Sequence, residues 1–118
     1  MKKKLDSYLL SHRRRCGFSQ GELSYLLGYK DQSHISRLEK EKRDPNLFIV
    51  LACQILFDAP PAEMFPGLFE RAEEEVLTRA YELHQQLEDN PSKEARLKLN
   101  ALDAAFDRRE VRAKSDRI

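Results

Sequence analysis

Between residues 30 and 46 the chain gathers side chains able to donate and accept hydrogen bonds in defined patterns: Lys30, Gln32, Ser33, His34, Ser36, Arg37, Lys40, Lys42, Arg43 and Asn46. An arginine fork matches the two acceptors on a guanine edge, a glutamine amide matches adenine, and serine hydroxyls serve either. If Ile35 and Leu38 of a helix turn inward, a rotation of about 100° per residue sends Ser33, Ser36, Arg37 and Lys40 to the opposite face, with Gln32 at the N-terminal tip. A face of that kind fits the ~12 Å major groove of a DNA duplex. Other chemistry is poorly provided for. His12, His34 and His84 are scattered with no carboxylate or cysteine at ligand spacing, and Cys16 and Cys53 form no Cys-x-x-Cys pair. Neither a nucleophile–base pairing nor a glycine-rich phosphate loop is present. The expectation is a protein that is not an enzyme and needs no metal or cofactor, with reduced thiols in packing roles.

The elements that position these residues read as helices, and the fold class expected is all-α. No stretch sustains the period-two alternation of a strand. Leu5, Tyr8, Leu9, His12 and Cys16 give a first helix from about Leu5 to Cys16, stopped by Gly17. Ser19 and Glu22 form a Ser-x-x-Glu capping box for a short second helix with an apolar stripe of Leu23, Leu26 and Leu27, closed by Gly28. Asp31 is an N-cap candidate for a third helix reaching about Lys40. Pro45 forces a loop, and a fourth helix, Leu47 to Phe57, is apolar almost all round and needs cover on more than one side. A short fifth helix starts at Pro61 and ends near Phe65.

Pro66-Gly67 marks the expected boundary, dividing residues 1–66 from 67–118. Beyond it Phe69, Ala72, Val76, Ala80, Leu83 and Leu87 keep a three-four rhythm, a helix of about six turns. Asp89-Asn90-Pro91-Ser92 breaks it, and Ser92 caps a last helix through about Arg112. That helix carries Ala95, Leu99, Leu102 and Phe106 on one face and Leu97, Ala101, Ala105 and Val111 on a weaker second stripe. The two form an αα-hairpin.

Composition limits the alternatives. A chain of 118 residues, 41% hydrophobic and 35% charged, holds one small domain with an appendage. The longest apolar run, starting at Leu47, is cut by Gln54 and Asp58, far short of the ~20 residues of a bilayer span. The start Met-Lys-Lys-Lys is followed by polar residues rather than a signal-peptide core, so a cytoplasmic protein is expected. The net charge of +1 conceals an asymmetry: residues 1–46 carry 11 Lys/Arg against 6 Asp/Glu, and the remaining 72 carry 10 against 14. A basic front suits a polyanion.

The run Gly17-Phe18-Ser19-Gln20-Gly21-Glu22-Leu23, then Leu27-Gly28, Ile35-Ser36-Arg37-Leu38-Glu39, Lys42-Arg43-x-Pro45 and Leu47 resembles the phage-repressor-like, Xre-type helix-turn-helix family. Ser24, Gly28 and Ile35 stand where that motif needs a small residue, a glycine and a branched apolar residue. Glu63-Met64-Phe65 is similar to the family's closing segment. The resemblance covers about residues 5–66 and implies a five-helix repressor-like domain, followed here by the C-terminal two-helix hairpin. It implies Gln32, Ser33 and Arg37 as base readers and Gln20 as a phosphate contact. It also implies a structural Arg13. Lys30, Lys42, Arg43 and Asn46 flank the reading helix as backbone clamps, and His34 lies within reach of a phosphate. Departures are a three-residue Tyr29-Lys30-Asp31 turn where the family has two, Gly21 in place of a helix former, and Glu41 where a glycine is usual. Phe48, Ala52 and Ile55 replace polar residues on the fourth helix and call for a second partner.

The function expected is a sequence-specific DNA-binding transcriptional regulator, a repressor that reads a palindromic operator as a homodimer. The alternative is an antitoxin-like or adaptor protein whose C-terminal helices bind a partner protein.

Overall fold

The computed structural model describes residues 7–116. Residues 2–4 and Leu5, assigned above to the basic front and the first helix, lie outside the described residues. Among those described there are seven helices and no strand: α1 (Leu9–Arg15), α2 (Gln20–Leu26), α3 (Ser33–Glu39), α4 (Leu47–Phe57), α5 (Pro61–Met64), α6 (Pro66–Leu87) and α7 (Lys93–Asp116). None of these helices is long and apolar enough to cross a membrane. The chain divides into two compact units, one ending at Arg71 and the other beginning at Ala72.

In the first unit the local signals act where the sequence places them. Ser19 Oγ accepts the Glu22 N–H at 3.0 Å while Glu22 Oε1 accepts the Ser19 N–H at 2.8 Å, a complete capping box. Gly28 has φ +84°, a left-handed conformation that glycine adopts without a Cβ penalty. The turn after it is closed by the Tyr29 N–H on Ser24 O at 2.9 Å. Glu41, in the place of a usual glycine, takes φ +62°, and its carboxylate accepts the Ser7 N–H at 3.2 Å. Asn46 Oδ1 caps α4 by accepting the Ile49 N–H at 2.9 Å. Leu9, Leu23, Leu27, Ile35, Leu38, Ile49, Cys53, Met64 and Phe65 form the core.

Several expectations are corrected. Leu26 is exposed, because the inward arc of the short α2 is filled by Leu23, Ser24 and Leu27. Cys16 is exposed too: it caps α1 where the chain turns away at Gly17, and Arg13 takes the buried position one turn after Leu9. Outside these corrections, Pro66-Gly67 of the expected boundary opens α6, since proline is tolerated where a helix begins and no N–H is needed.

In the second unit α6 and α7 pair antiparallel. Glu73 faces Arg109 (3.5 Å) and Arg112, and His84 Nε2 lies 2.9 Å from Asp103 Oδ1. Ala80 and Ala95 are buried. The inward stripe of α6 runs through Glu73, Leu77, Ala80, His84 and Leu87, and Val76 and Leu83, expected inward, are exposed. Both stripes keep three-four spacing and share Ala80 and Leu87, so periodicity alone does not choose between them. On α7, Leu99, Leu102 and Phe106 are half-buried beside Ala95, and Leu97 and Val111 are exposed. Ser92 Oγ caps α7 on the Ala95 N–H at 3.1 Å, and the helix continues to Asp116.

Candidate nucleic-acid interface

The site is built on α3, a seven-residue helix with Ile35 and Leu38 buried in the core. A helix this short is not stable alone in water, so its placement depends on what holds its two ends. At the N-terminal end Asp31 Oδ1 accepts the Ser33 N–H at 2.8 Å and also the Ser33 hydroxyl. Those two bonds, the hydroxyl's first, hold the Asp31 carboxyl below its usual range. The buried Ser24 hydroxyl donates to Asp31 O, tying α2 to the residue that starts α3. Ser24 therefore supplies a hydrogen bond as well as a small buried side chain.

At the C-terminal end Glu39 is the hub. Arg13 Nε donates to Glu39 Oε2 at 2.5 Å and its Nη2 to Oε1 at 3.2 Å, while Nη1 donates to Phe18 O at 2.9 Å. Gln20 Nε2 donates to Glu39 Oε1 at 2.8 Å. The Arg13 and Glu39 side chains are only 11% and 5% exposed. This fork joins α1, the α1–α2 loop, the start of α2 and the end of α3. A desolvated carboxylate with its lone pairs satisfied this way is far more strongly held than a surface ion pair.

Against this frame the expected site residues separate into groups. Gln32, Arg37 and Lys40 are exposed, and Ser33, His34 and Ser36 are half-buried along the same helix. Lys30, Lys42 and Arg43 are exposed on the segments that flank α3. Arg43 Nη1 donates to His34 Nδ1 at 2.7 Å, and the His34 ring stacks on Tyr29 with centroids 4.3 Å apart and planes 11° apart. That stack and bond tether Arg43 and the three-residue turn to α3. Three expected contacts have internal duties. The Gln20 amide nitrogen is engaged with Glu39, the Ser33 proton goes to Asp31, and the Asn46 oxygen caps α4. Each keeps capacity for a further bond through its other polar atoms or lone pairs.

Tyr29 was missed as a contributor; its only sequence signal is its place in the lengthened turn. Glu39 was missed as well: it is buried against Arg13, a contact across 26 positions that no local pattern reveals. The exposed Tyr25 and Leu26 of α2 were not singled out as exposed either.

In comparison with known proteins, no family model matches this chain, and no curated protein or solved structure matches it.

Proposed function

We propose that the chain is a sequence-specific DNA-binding transcriptional regulator that represses by occupying an operator, with α3 as its reading helix in the major groove. The observation that carries this reading is the division of α3 into two faces. Ile35 and Leu38 are buried and Glu39 is locked to Arg13, while Gln32, Arg37 and Lys40 are exposed on the side away from the core. The resemblance of residues 5–66 to the Xre-type family supports the same assignment. In this reading Arg37 forks onto a guanine, Gln32 reads an adenine, and Ser33 and Ser36 add single bonds to base edges. Lys30, Lys40, Lys42 and Arg43 hold phosphates and fix register, with Gln20, His34 and Asn46 at the margin. One α3 supplies a half-site, and a palindromic operator engages two copies.

The test is selection of bound fragments from random duplex DNA by wild type and Arg37→Ala at two salt concentrations. Wild type selects a discrete motif with half-sites about one helical turn apart, and Arg37→Ala relaxes one position of it at a cost of about 1–3 kcal/mol. Sequence-blind binding that disappears with salt and ignores Arg37 refutes the reading.

Exposed apolar residues in the second unit favour a second reading, in which the C-terminal helices bind a partner protein in the manner of an antitoxin or adaptor. Val76, Leu83, Leu97 and Val111 are all exposed there. Loss of biological activity on changing Arg37 and Gln32, with Leu97 and Val111 changes harmless, refutes that second reading.

A further inference from the structure

In a chain that is 35% charged, the 11 residues of α4, Leu47 to Phe57, include no charged residue. One side of the helix, at Ile49 and Cys53, is buried in the core. The other side is not: Leu47 is 72% exposed, Phe48 65%, Leu51 49% and Ile55 82%. At about 100° per residue these four share one continuous stripe opposite Ile49 and Cys53, with Gln54 the one polar residue at its edge. Together they expose on the order of 500 Å² of apolar surface, as much as a whole monomer ordinarily carries in its largest patch.

We propose that this stripe is the contact between two copies of the chain. Three observations select a second copy as the occupant. The stripe is neutral, so two copies meet without like-charge repulsion, and a charged partner finds nothing on it to pair with. Leu47, Leu51 and Ile55 form an i, i+4, i+8 ridge, and the commonest helix packing interleaves this same ridge from both helices, an arrangement that a twofold axis satisfies. The area also suffices, because two such stripes bury about 1,000 Å² in all, the size at which specific interfaces begin. The inference deepens the DNA-reading proposal by naming the surface that joins two reading helices. Its evidence is α4's own, and it is tested without DNA.

The experiment is sedimentation equilibrium of the full chain over a wide concentration range, without DNA. Wild type is expected to reach twice 13.8 kDa. Leu51→Glu and Ile55→Glu are expected to raise the dissociation constant by on the order of 100-fold or more, since dimerisation would bury an unpaired charge. Both positions face outward, so helical circular dichroism is expected to stay at the wild-type level, and the melting temperature to match it at concentrations where wild type is also monomeric. A wild type that stays monomeric overturns the proposal. So does an Ile55→Glu variant that remains a dimer while Val111→Glu on α7 dissociates. DNA is then added to separate the two proposals. A wild-type dimer dissociated by Ile55→Glu that selects no DNA sequence removes the DNA reading and sustains the α4 interface. An Ile55→Glu protein that remains dimeric and protects both half-sites of an operator overturns the interface and sustains the DNA reading.

Discussion

Replacing Arg13 with methionine tests whether the fork on Glu39 holds α3 in place. The substitution keeps most of the apolar stem and removes three hydrogen bonds, two to Glu39 and one to Phe18 O. Glu39, 5% exposed, keeps only Gln20 as a donor. Leaving one member of a buried pair without its partner costs about 3–5 kcal/mol, a large share of the ~5–15 kcal/mol that holds a small domain together. Removing both charges restores much of that loss, because no stranded carboxylate remains. Arg13→Met/Glu39→Leu is therefore expected to be more stable than Arg13→Met alone, with a coupling energy of about 3 kcal/mol in the double-mutant cycle. Unfolding in urea is followed through the Cys53 thiol, which lies in the core of this unit and which burial pushes up to about 11. The exposed Cys16 is first replaced by serine. Reagent attack on Cys53 then reports opening of the first unit alone. A single-variant loss below about 1 kcal/mol, additive with Glu39→Leu, would falsify the argument and give the pair the worth of an exposed one.

Two further predictions concern the ends of α2 and α3. Gly28→Ala is expected to lower the melting temperature through a loss of about 1–2 kcal/mol, because φ is +84° there. Gly21→Ala is expected to raise it through a gain of up to about 1 kcal/mol, its new Cβ meeting Ser19 Oγ at 3.8 Å and Gln32 Oε1 at 4.0 Å in ordinary contact. Equal effects at the two glycines would refute the conformational account. The second concerns acid. Glu22 is held below its usual value by the Ser19 N–H and then the Ser19 hydroxyl, and Asp31 by the Ser33 hydroxyl and then its amide. A depressed folded value means that the contribution is complete above the unfolded carboxylate range and is lost as pH falls through the folded one. Asp31→Asn is expected to flatten the acid side of the urea-midpoint profile and to lower its neutral plateau, where the carboxylate's contribution is complete. An acid decline as steep as wild type refutes the Asp31 assignment.

The features legible in the sequence are those whose cause is local. Ser19 with Glu22 and Ser92 as caps, and Gly17 and Gly28 as left-handed stops, depend on neighbours within a few residues; the Asn46 cap of α4 is just as local but was not read as one. Ile35 and Leu38 were legible because α3 has one apolar pair and a single way to bury it. Leu26 and Cys16 were not, since each lies within reach of an inward arc whose width is set by other helices. Val76 and Leu83 failed because a second stripe with the same spacing runs beside theirs, and the side that packs is chosen by Ala80, Ala95 and the Glu73 and His84 partners on α7. At the site, residue types pointed to the outward face of α3, whereas the Arg13–Glu39–Gln20 fork and the Tyr29–His34 stack depend on the tertiary fold.

Under the proposed reading, the accuracy of Arg37 and Gln32 depends on residues that contact no base. A bidentate contact on a base edge tolerates little displacement, and α3 is too short to set its own orientation. Its N-terminal end is held by Ser24 and Asp31 and its C-terminal end by Arg13 through Glu39, each acting across another helix or loop. Binding then spends little free energy on ordering the helix, which was ordered when the unit folded. The same arrangement gives the buried charge pair a positioning role that an apolar pair would not fill. Leucine and methionine would fill the space, but they would not dictate the angle and register that a planar guanidinium fork imposes on the last turn of α3.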